Sequence, residues 1–363
     1  SSEQSITFAI SPLDVDKARE AIKREFSQEM AKQVIGLKVE EELSVLAIVG
    51  AHMQNEPGIA AKLFQALGRN GINIKAIAQG SSELNISTVV SRKNLKKALN
   101  VIHDGFFLSG YQEVHLYLIG VGTVGSSLLR QISLQQSELM DKHRLKVNLI
   151  GIANSKKMFF DEEGISADMC VEKLKNASEK LDLEGFVDRI AQINLRNSIL
   201  VDCTASAEVA SVYEKALSAF ISVVTANKIA CSGTYERYAN LQKIAKTKNV
   251  KFLYETNVCA GLPVIKTIND LILSGDKVTK LEAVLSGTLN FIFNTISAEI
   301  PMSQTIRMAK EKGYSEPDPR IDLSGLDVMR KLLILARECG TPLEREQVSI
   351  KTFLPDDIMQ TAD

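Results

Sequence analysis

The apolar and polar positions of this chain change rhythm twice, and each change marks a boundary. Up to about residue 108 short alternating pieces predominate. Residues 43–50 read as a strand, and Pro57 opens a stretch of helical periodicity, IAAKLFQALGRNG, closed by Asn70 and Gly71. INIKAIAQG and LNISTVVS then alternate as strands do, and the amphipathic NLKKALNVIHDGFF follows. The order βαββα predicts an α+β sandwich, with helices on one face of an antiparallel sheet. ITFAIS followed by PLDVDKAREAIKREF repeats the strand, polar turn and helix of ISTVVS followed by RKNLKKALNVIHDGF. Residues 1–39 therefore read as the back half of a first copy of this unit and residues 40–108 as a second. On that reading the chain begins inside a larger protein.

From residue 113 the pattern becomes short buried strands separated by helix-length segments: VHLYLIG, KVNLIGIAN, SILVDCTA, ISVVTANK and KFLYETN. Such spacing predicts a parallel sheet covered on both faces, over residues 113–255. Beyond Pro263 a helix over residues 264–274, a strand at TKLEAVLS and helices over 303–312 and 323–338 are expected, in an incomplete domain spanning 256–363.

Composition narrows the function. Forty-three basic against forty-four acidic residues leave a net charge of −1, which gives no long-range pull on a polyanion, so nucleic acid is not an expected partner. No apolar run reaches the ~20 residues that cross a bilayer, and the N-terminus lacks a signal-peptide pattern, so no membrane partner is expected and the expected location is cytoplasmic. The five cysteines form no C-x-x-C pair and the four histidines share no ligand spacing, which argues against a disulfide framework or a zinc site.

One motif carries chemistry directly. Gly120, Val121, Gly122, Thr123, Val124 and Gly125 form G-x-G-x-x-G between a buried strand and a helix. Gly120 permits the tight turn, Gly122 lets a pyrophosphate approach the backbone, and Gly125 lets helix and strand pack closely. The helix N-terminus adds unpaired N–H groups and a positive dipole for the phosphates. At the end of the second strand an NAD site places an acid, whereas this chain has Asn154, Ser155, Lys156 and Lys157. That favours NADP with its 2′-phosphate, NAD remaining possible; the lysines could also be a plain solvated loop.

The stretches LIGVGTVGSSLL, VDCTAS, VVTANK, ETNVCAGLPVI, LSGTLNFIF and GYSEPDPRIDLSGLDVMRKLLILAR resemble homoserine dehydrogenase, in that family's order and spacing. NEPGIAAKLFQALGRNGINI and IAQGSSELNIS resemble the ACT regulatory units of an aspartokinase. The resemblance implies an ACT-type α+β sandwich, a doubly wound Rossmann NAD(P)-binding domain and an α+β catalytic and dimerisation domain. It also implies a bifunctional parent, with a kinase domain upstream and a closing segment downstream of this chain. The implied reaction interconverts L-homoserine and L-aspartate 4-semialdehyde.

Several residues gain roles on that footing. Asp327 and Lys331 stand i and i+4 on one helix face, which alone suggests a surface pair worth ~0.3–0.5 kcal/mol. Leu326, Val328, Met329, Leu332, Leu333 and Leu335 surround them, however, and a buried lysine needs a partner or a purpose. Lys331 is therefore read as the proton donor in reduction, oriented by Asp327. The resemblance assigns the substrate to Glu316, Asp322, Asp327 and Lys228, and the cofactor also to Thr204, Lys228 and Gly313. Asp322 could instead cap the helix that follows. A sodium loop is implied at Glu255, Val258, Ala260 and Leu262, held by backbone carbonyls. An amino-acid effector, threonine by resemblance, is expected around Asn55, Gly58, Ile59, Gln79 and Ile86, and ACT pairing implies a homodimer or homotetramer. Two competing readings remain: a regulatory fragment without turnover, and a semialdehyde dehydrogenase using Cys203 as nucleophile.

Overall fold

The computed structural model describes residues 5–107, 112–315 and 319–351, in two units, residues 1–111 and 112–363. In the first unit the strands β1 (Leu43–Val49), β2 (Ile74–Gln79) and β3 (Asn85–Ser91) form an antiparallel sheet in the order β1-β3-β2. Helices Ile59–Arg69 and Leu95–Phe107 cover one face, where Leu63, Leu67, Ile86, Val90 and Val101 make a core. On the other face Val45 and Val49 are 58% and 74% exposed. The expected βαββα order is what forms.

Thr88 sits on the covered face, opposite Leu46 and Ile77 in register, and its hydroxyl is buried without a hydrogen-bond partner. An unpaired buried hydroxyl keeps its desolvation cost. Thr88→Val is therefore expected to stabilise this unit by about 1 kcal/mol in thermal or denaturant unfolding, and an unchanged or lower midpoint would refute that.

The N-terminal segment differs from expectation. Residues 6–10 form no strand, and the helices Val15–Glu25 and Ser27–Ala31 bury none of their residues. A strand needs a neighbour for its backbone groups, and among the described residues nothing pairs along 6–10.

In the second unit six strands lie in the order β6-β5-β4-β7-β8-β9. They are β4 (Gln112–Ile119), β5 (Leu145–Ala153), β6 (Met158–Phe160), β7 (Ser198–Asp202), β8 (Ser222–Thr225) and β9 (Phe252–Leu253). All neighbours are parallel except β6, an antiparallel edge strand that the helix-strand rhythm did not predict. Successive residues of β4 feed opposite cores. Tyr117 and Ile119 pack with Phe186, Tyr213 and Leu241 from helices on one face. Leu118 packs with Leu129 and Leu174 on the other. Both faces are covered, which is why these strands read as continuous apolar runs.

Beyond β9 come helices Val264–Leu273, Gly287–Thr295, Met302–Glu311, Pro319–Leu323 and Leu326–Glu338. The strand expected at TKLEAVLS is absent: residues 276–286 carry no regular structure, with no sheet beside them among the described residues. The helix expected over 323–338 is broken, because Gly325 takes φ +74° and starts a new helix. Asp322 consequently lies inside Pro319–Leu323 and is no cap for the helix that follows. Ile334 and Leu335 share a core with Tyr117 and Val223, so the last helix is fastened to the sheet. Among the described residues no helix is long and apolar enough to cross a membrane.

Candidate active site

The chain leaves β4 toward β5 on one side, while β7 lies on the other, so a crevice opens at the carboxyl ends of β4 and β7. The glycine turn stands there. Gly120 has φ +97°, and a Cβ on it would lie 2.7 Å from the Thr204 methyl and 3.0 Å from the Cys203 backbone. A Cβ on Gly125 would lie 1.9 Å from the Gly120 carbonyl oxygen. Gly122 is different: a Cβ there would meet nothing within 4 Å. Packing explains two of the glycines, and beside the third the backbone lies open, as close approach of a pyrophosphate requires. Gly122 also begins the helix Thr123–His143 with no side-chain cap, leaving first-turn N–H groups for an anion.

Asn154–Lys157 is the hairpin turn between β5 and β6. Asn154 Oδ1 accepts from the amides of Lys156 and Lys157, both at 2.8 Å. Lys157 sends its ammonium to the Lys175 carbonyl, 2.8 Å away. Ser155 and Lys156 are exposed at the tip.

Thr204 is tied in by its amide, which donates to Asp202 Oδ1 at 2.7 Å. Asp202 is fully buried at the end of β7, and its other oxygen accepts from the Tyr213 hydroxyl and from Asn227 Nδ2 at 3.0 Å. Asn227 also donates to the Ser206 carbonyl at 2.8 Å, so it fixes the end of β8 against the end of β7. The next residue is Lys228, whose ammonium lies 3.3 Å from Asp327 Oδ1. Lys331 lies 2.9 Å from Asp327 Oδ2 and donates to the Leu285 carbonyl at 2.8 Å. Two polar clusters thus meet in sequence: Thr204, packed against Gly120, shares Asp202 with Asn227, and Lys228, the residue after Asn227, reaches Asp327 and through it Lys331.

The Lys331 side chain is 16% exposed, too buried for a plain surface pair. Burial alone would raise the Asp327 pKa, but the hydrogen bond from Lys331 and the charges of Lys228 and Lys331 hold it below the usual carboxylate value. Cys203 goes the other way. Burial, with Asp202 beside it, pushes its thiol up to about 11, leaving about one part in 10⁴ as thiolate at neutral pH. That is a poor nucleophile.

Asp322 accepts from Thr288 at 3.3 Å, and Thr288 also donates to the Tyr314 carbonyl at 2.5 Å. Gly313, at φ +70° after Met302–Glu311, sits beside this cluster in sequence. Glu316 lies outside the described residues. Both oxygens of Glu255 accept amides at the start of Val264–Leu273, from Ile265 at 2.8 Å and Lys266 at 2.9 Å. Its carboxylate caps a helix. In the same loop Val258 is buried, Ala260 and Leu262 are exposed, and the Leu262 carbonyl accepts from Val264. Among the described residues no three His, Cys, Asp or Glu side chains gather as a metal site, and a backbone-carbonyl sodium loop needs none.

Residues 263–362 match the homoserine dehydrogenase family, and residues 120–255 match its NAD-binding domain. The chain belongs to the homoserine dehydrogenase family. Residues 46–106 match the ACT domain. A bifunctional aspartokinase/homoserine dehydrogenase of Haemophilus influenzae is 40% identical over 98% of this chain and 43% of its own length. A chloroplastic bifunctional enzyme of Arabidopsis thaliana is 38% identical over 100% of this chain and 40% of its own. The chain thus spans less than half of these relatives. A hyperthermophilic archaeal homoserine dehydrogenase solved in complex with NADPH is 26% identical, with a TM-score of 0.54 over 66% of this chain and 75% of that one.

Among homoserine dehydrogenase residues, sequence reasoning missed Asp202, Asn227, Thr288 and the Leu285 carbonyl. Asp202 had a signal, an acid ending the apolar run SILVD; a backbone carbonyl has none.

The ACT unit holds a cavity of its own. Asn55, Gly58, Ile59, Gln79 and Ile86 all line one cavity of about 290 Å³, together with Glu56 and Glu83. Asn55 and Glu83 both have positive φ, +59° and +53°, and the Asn55 amide donates to the Glu83 carboxylate at 3.0 Å. Gly58, at φ +92°, starts Ile59–Arg69 without a side-chain cap.

Proposed function

We propose that this chain is the dehydrogenase part of an NADP-linked enzyme that interconverts L-homoserine and L-aspartate 4-semialdehyde. The observation that carries the reading is the bridge of Asp327 between Lys228 and Lys331, with Lys228 directly following Asn227, whose side chain shares Asp202 with the Thr204 amide. Gly120 to Gly125 and Thr204 would hold the dinucleotide, which when bound supplies the hydride or accepts it. Lys331 gives a proton to the aldehyde oxygen during reduction and takes it back during oxidation. Asp327 holds that ammonium in place and keeps Lys228 beside it. Asp322, and by resemblance Glu316, would hold the amino-acid end of the substrate.

The test is NADP-dependent oxidation of homoserine by the purified protein, with and without thiol alkylation. Turnover that survives alkylation supports the lysine mechanism; loss on alkylation returns Cys203 to the centre. No turnover, with the ACT unit still binding ligand, would favour the regulatory fragment.

The hairpin tip supports NADP over NAD. Lys157 is engaged at Lys175, so Lys156→Ala is expected to weaken NADPH about tenfold while leaving NADH nearly unchanged, in a fluorescence titration. Equal losses for both cofactors would defeat this assignment.

The ACT cavity reads as the effector site for threonine or a similar small amino acid. Its lining has two acids and no basic side chain, which suits a ligand ammonium, while the open helix start suits a carboxylate. Threonine titrated calorimetrically into the protein is expected to bind, about tenfold more weakly after Glu83→Gln. Absence of heat for every protein amino acid would leave the module purely structural. Among the described residues no named strand pairs with the outer edges of β1 and β2, and these edges with the exposed Val45 and Val49 support pairing of ACT units into a homodimer or homotetramer. A sodium ion would rest on the carbonyls of Glu255, Val258, Ala260 and Leu262 in a structural role. The reading includes an aspartokinase activity in the full protein, after the names of its relatives, and a cytoplasmic location.

A further inference from the structure

The helix that carries Lys331 ends in two adjacent charged residues, Arg337 and Glu338, only 3% and 8% exposed. Burying either charge is costly, and an apolar pair of similar volume would often serve a core as well. What charged groups add is direction. The Arg337 guanidinium donates through Nη1 to the Cys231 carbonyl and through Nη2 to the Gly233 carbonyl, both at 2.7 Å. It also donates to the Leu343 carbonyl at 2.9 and 3.1 Å and stacks near the rings of Tyr235 and Tyr238. Cys231 and Gly233 belong to the short helix Ile229–Ser232 and its end, and that helix begins at Lys228.

The same two helices are therefore joined twice. Asp327 meets Lys228 at one end, and Arg337 meets Cys231 and Gly233 at the other. Ile334 and Leu335 already fasten this helix to the core, and the two polar attachments add a directional hold at each end. Glu338 adds a third direction. It accepts from the hydroxyls of Tyr238, at 2.6 Å, and Tyr254, and from Asn269 at 3.0 Å, gathering helix Tyr235–Lys248, the end of β9 and helix Val264–Leu273.

We infer that Arg337 and Glu338 are positioning residues for proton transfer: they set how far the Lys331 ammonium stands from Lys228 and from the carboxyl edge of the sheet. They act from about 9–10 Å along the helix axis, six and seven residues beyond Lys331 at ~1.5 Å rise each. The inference rests on the proposed role of Lys331.

The test uses the full-length enzyme with Arg337→Lys, which keeps the charge and loses the planar fork. The expected result is a kcat for semialdehyde reduction lower by tenfold or more, since small misplacements of reacting groups carry losses of that order. NADPH affinity should stay unchanged, and the solvent deuterium isotope effect on kcat should rise as proton transfer becomes limiting. In a Lys331→Ala background the same substitution should change kcat less than twofold, because the group it positions is gone. Glu338→Gln, which keeps the shape, should show a smaller loss with the same isotope signature and serves if Arg337→Lys does not fold. Parental kcat and isotope effect in the folded variants would overturn the inference, as would a full loss that persists without Lys331. Lys331→Ala with parental turnover would instead sink the underlying role of Lys331, a separate outcome.

Discussion

Lys331→Ala is expected to cut kcat for semialdehyde reduction by about 10²–10⁴, the usual span for loss of a general acid. The reasoning starts from burial. The Lys331 side chain is 16% exposed and meets one carboxylate oxygen, of Asp327, and one carbonyl, of Leu285. An ammonium has three donors, so one remains for a substrate oxygen. Because the loss would fall in the transition state, NADPH affinity should be unaltered and kcat and kcat/KM should fall together. Asp327→Asn should slow turnover as well, since the two ammonium groups it holds would lose the charge between them. A surface pair would behave otherwise, with a few tenths of a kcal/mol of stability lost and no activity. Parental turnover in Lys331→Ala would return the pair to that role.

The glycine turn yields an equally large contrast, between stability and binding. In Gly125→Ala the new Cβ would stand 1.9 Å from the Gly120 carbonyl oxygen, so backbone must move and about 3 kcal/mol or more of stability should go. In Gly122→Val the new Cβ meets no protein atom within 4 Å, at extended backbone angles with negative φ, −72°. Thermal unfolding should change by no more than about 1 kcal/mol, the range of a lost cap. NADPH affinity should nevertheless fall at least about 100-fold, or about 2.7 kcal/mol, because the side chain would fill the space of the pyrophosphate. Wild-type NADPH affinity in Gly122→Val would show that the dinucleotide lies elsewhere.

The parts of the fold that were legible in the sequence are those governed by local pattern. Strand β4, the Gly120–Gly125 turn and the helix after it declare themselves through continuous apolar residues and through glycines at fixed spacing. The ACT-type unit follows from alternation in β2 and β3. The failures are non-local. TKLEAVLS alternates as a strand does, yet a strand exists only where a neighbour takes its hydrogen bonds, and a sequence does not show its neighbours. The same holds for ITFAIS. The break at Gly325 was within reach, since glycine in a helix is a warning, but the apolar residues on either side masked it. In the site, Lys331 and Asp327 shared a legible helix face. Their link to Lys228, about a hundred residues earlier, came only with the packing of Ile334 and Leu335 into the sheet core.

The hairpin between β5 and β6 has a consequence for how this protein can change. Its shape depends on Asn154, whose side chain holds two successive amides, and on Lys157, tied to a neighbouring carbonyl. Ser155 and Lys156 carry neither duty and stand in solvent. Those two positions are therefore free to vary without disturbing either core. Under the proposed cofactor assignment, a lineage, or an engineer, could shift the balance between the two nicotinamide currencies at this tip while the scaffold beneath stays as it is.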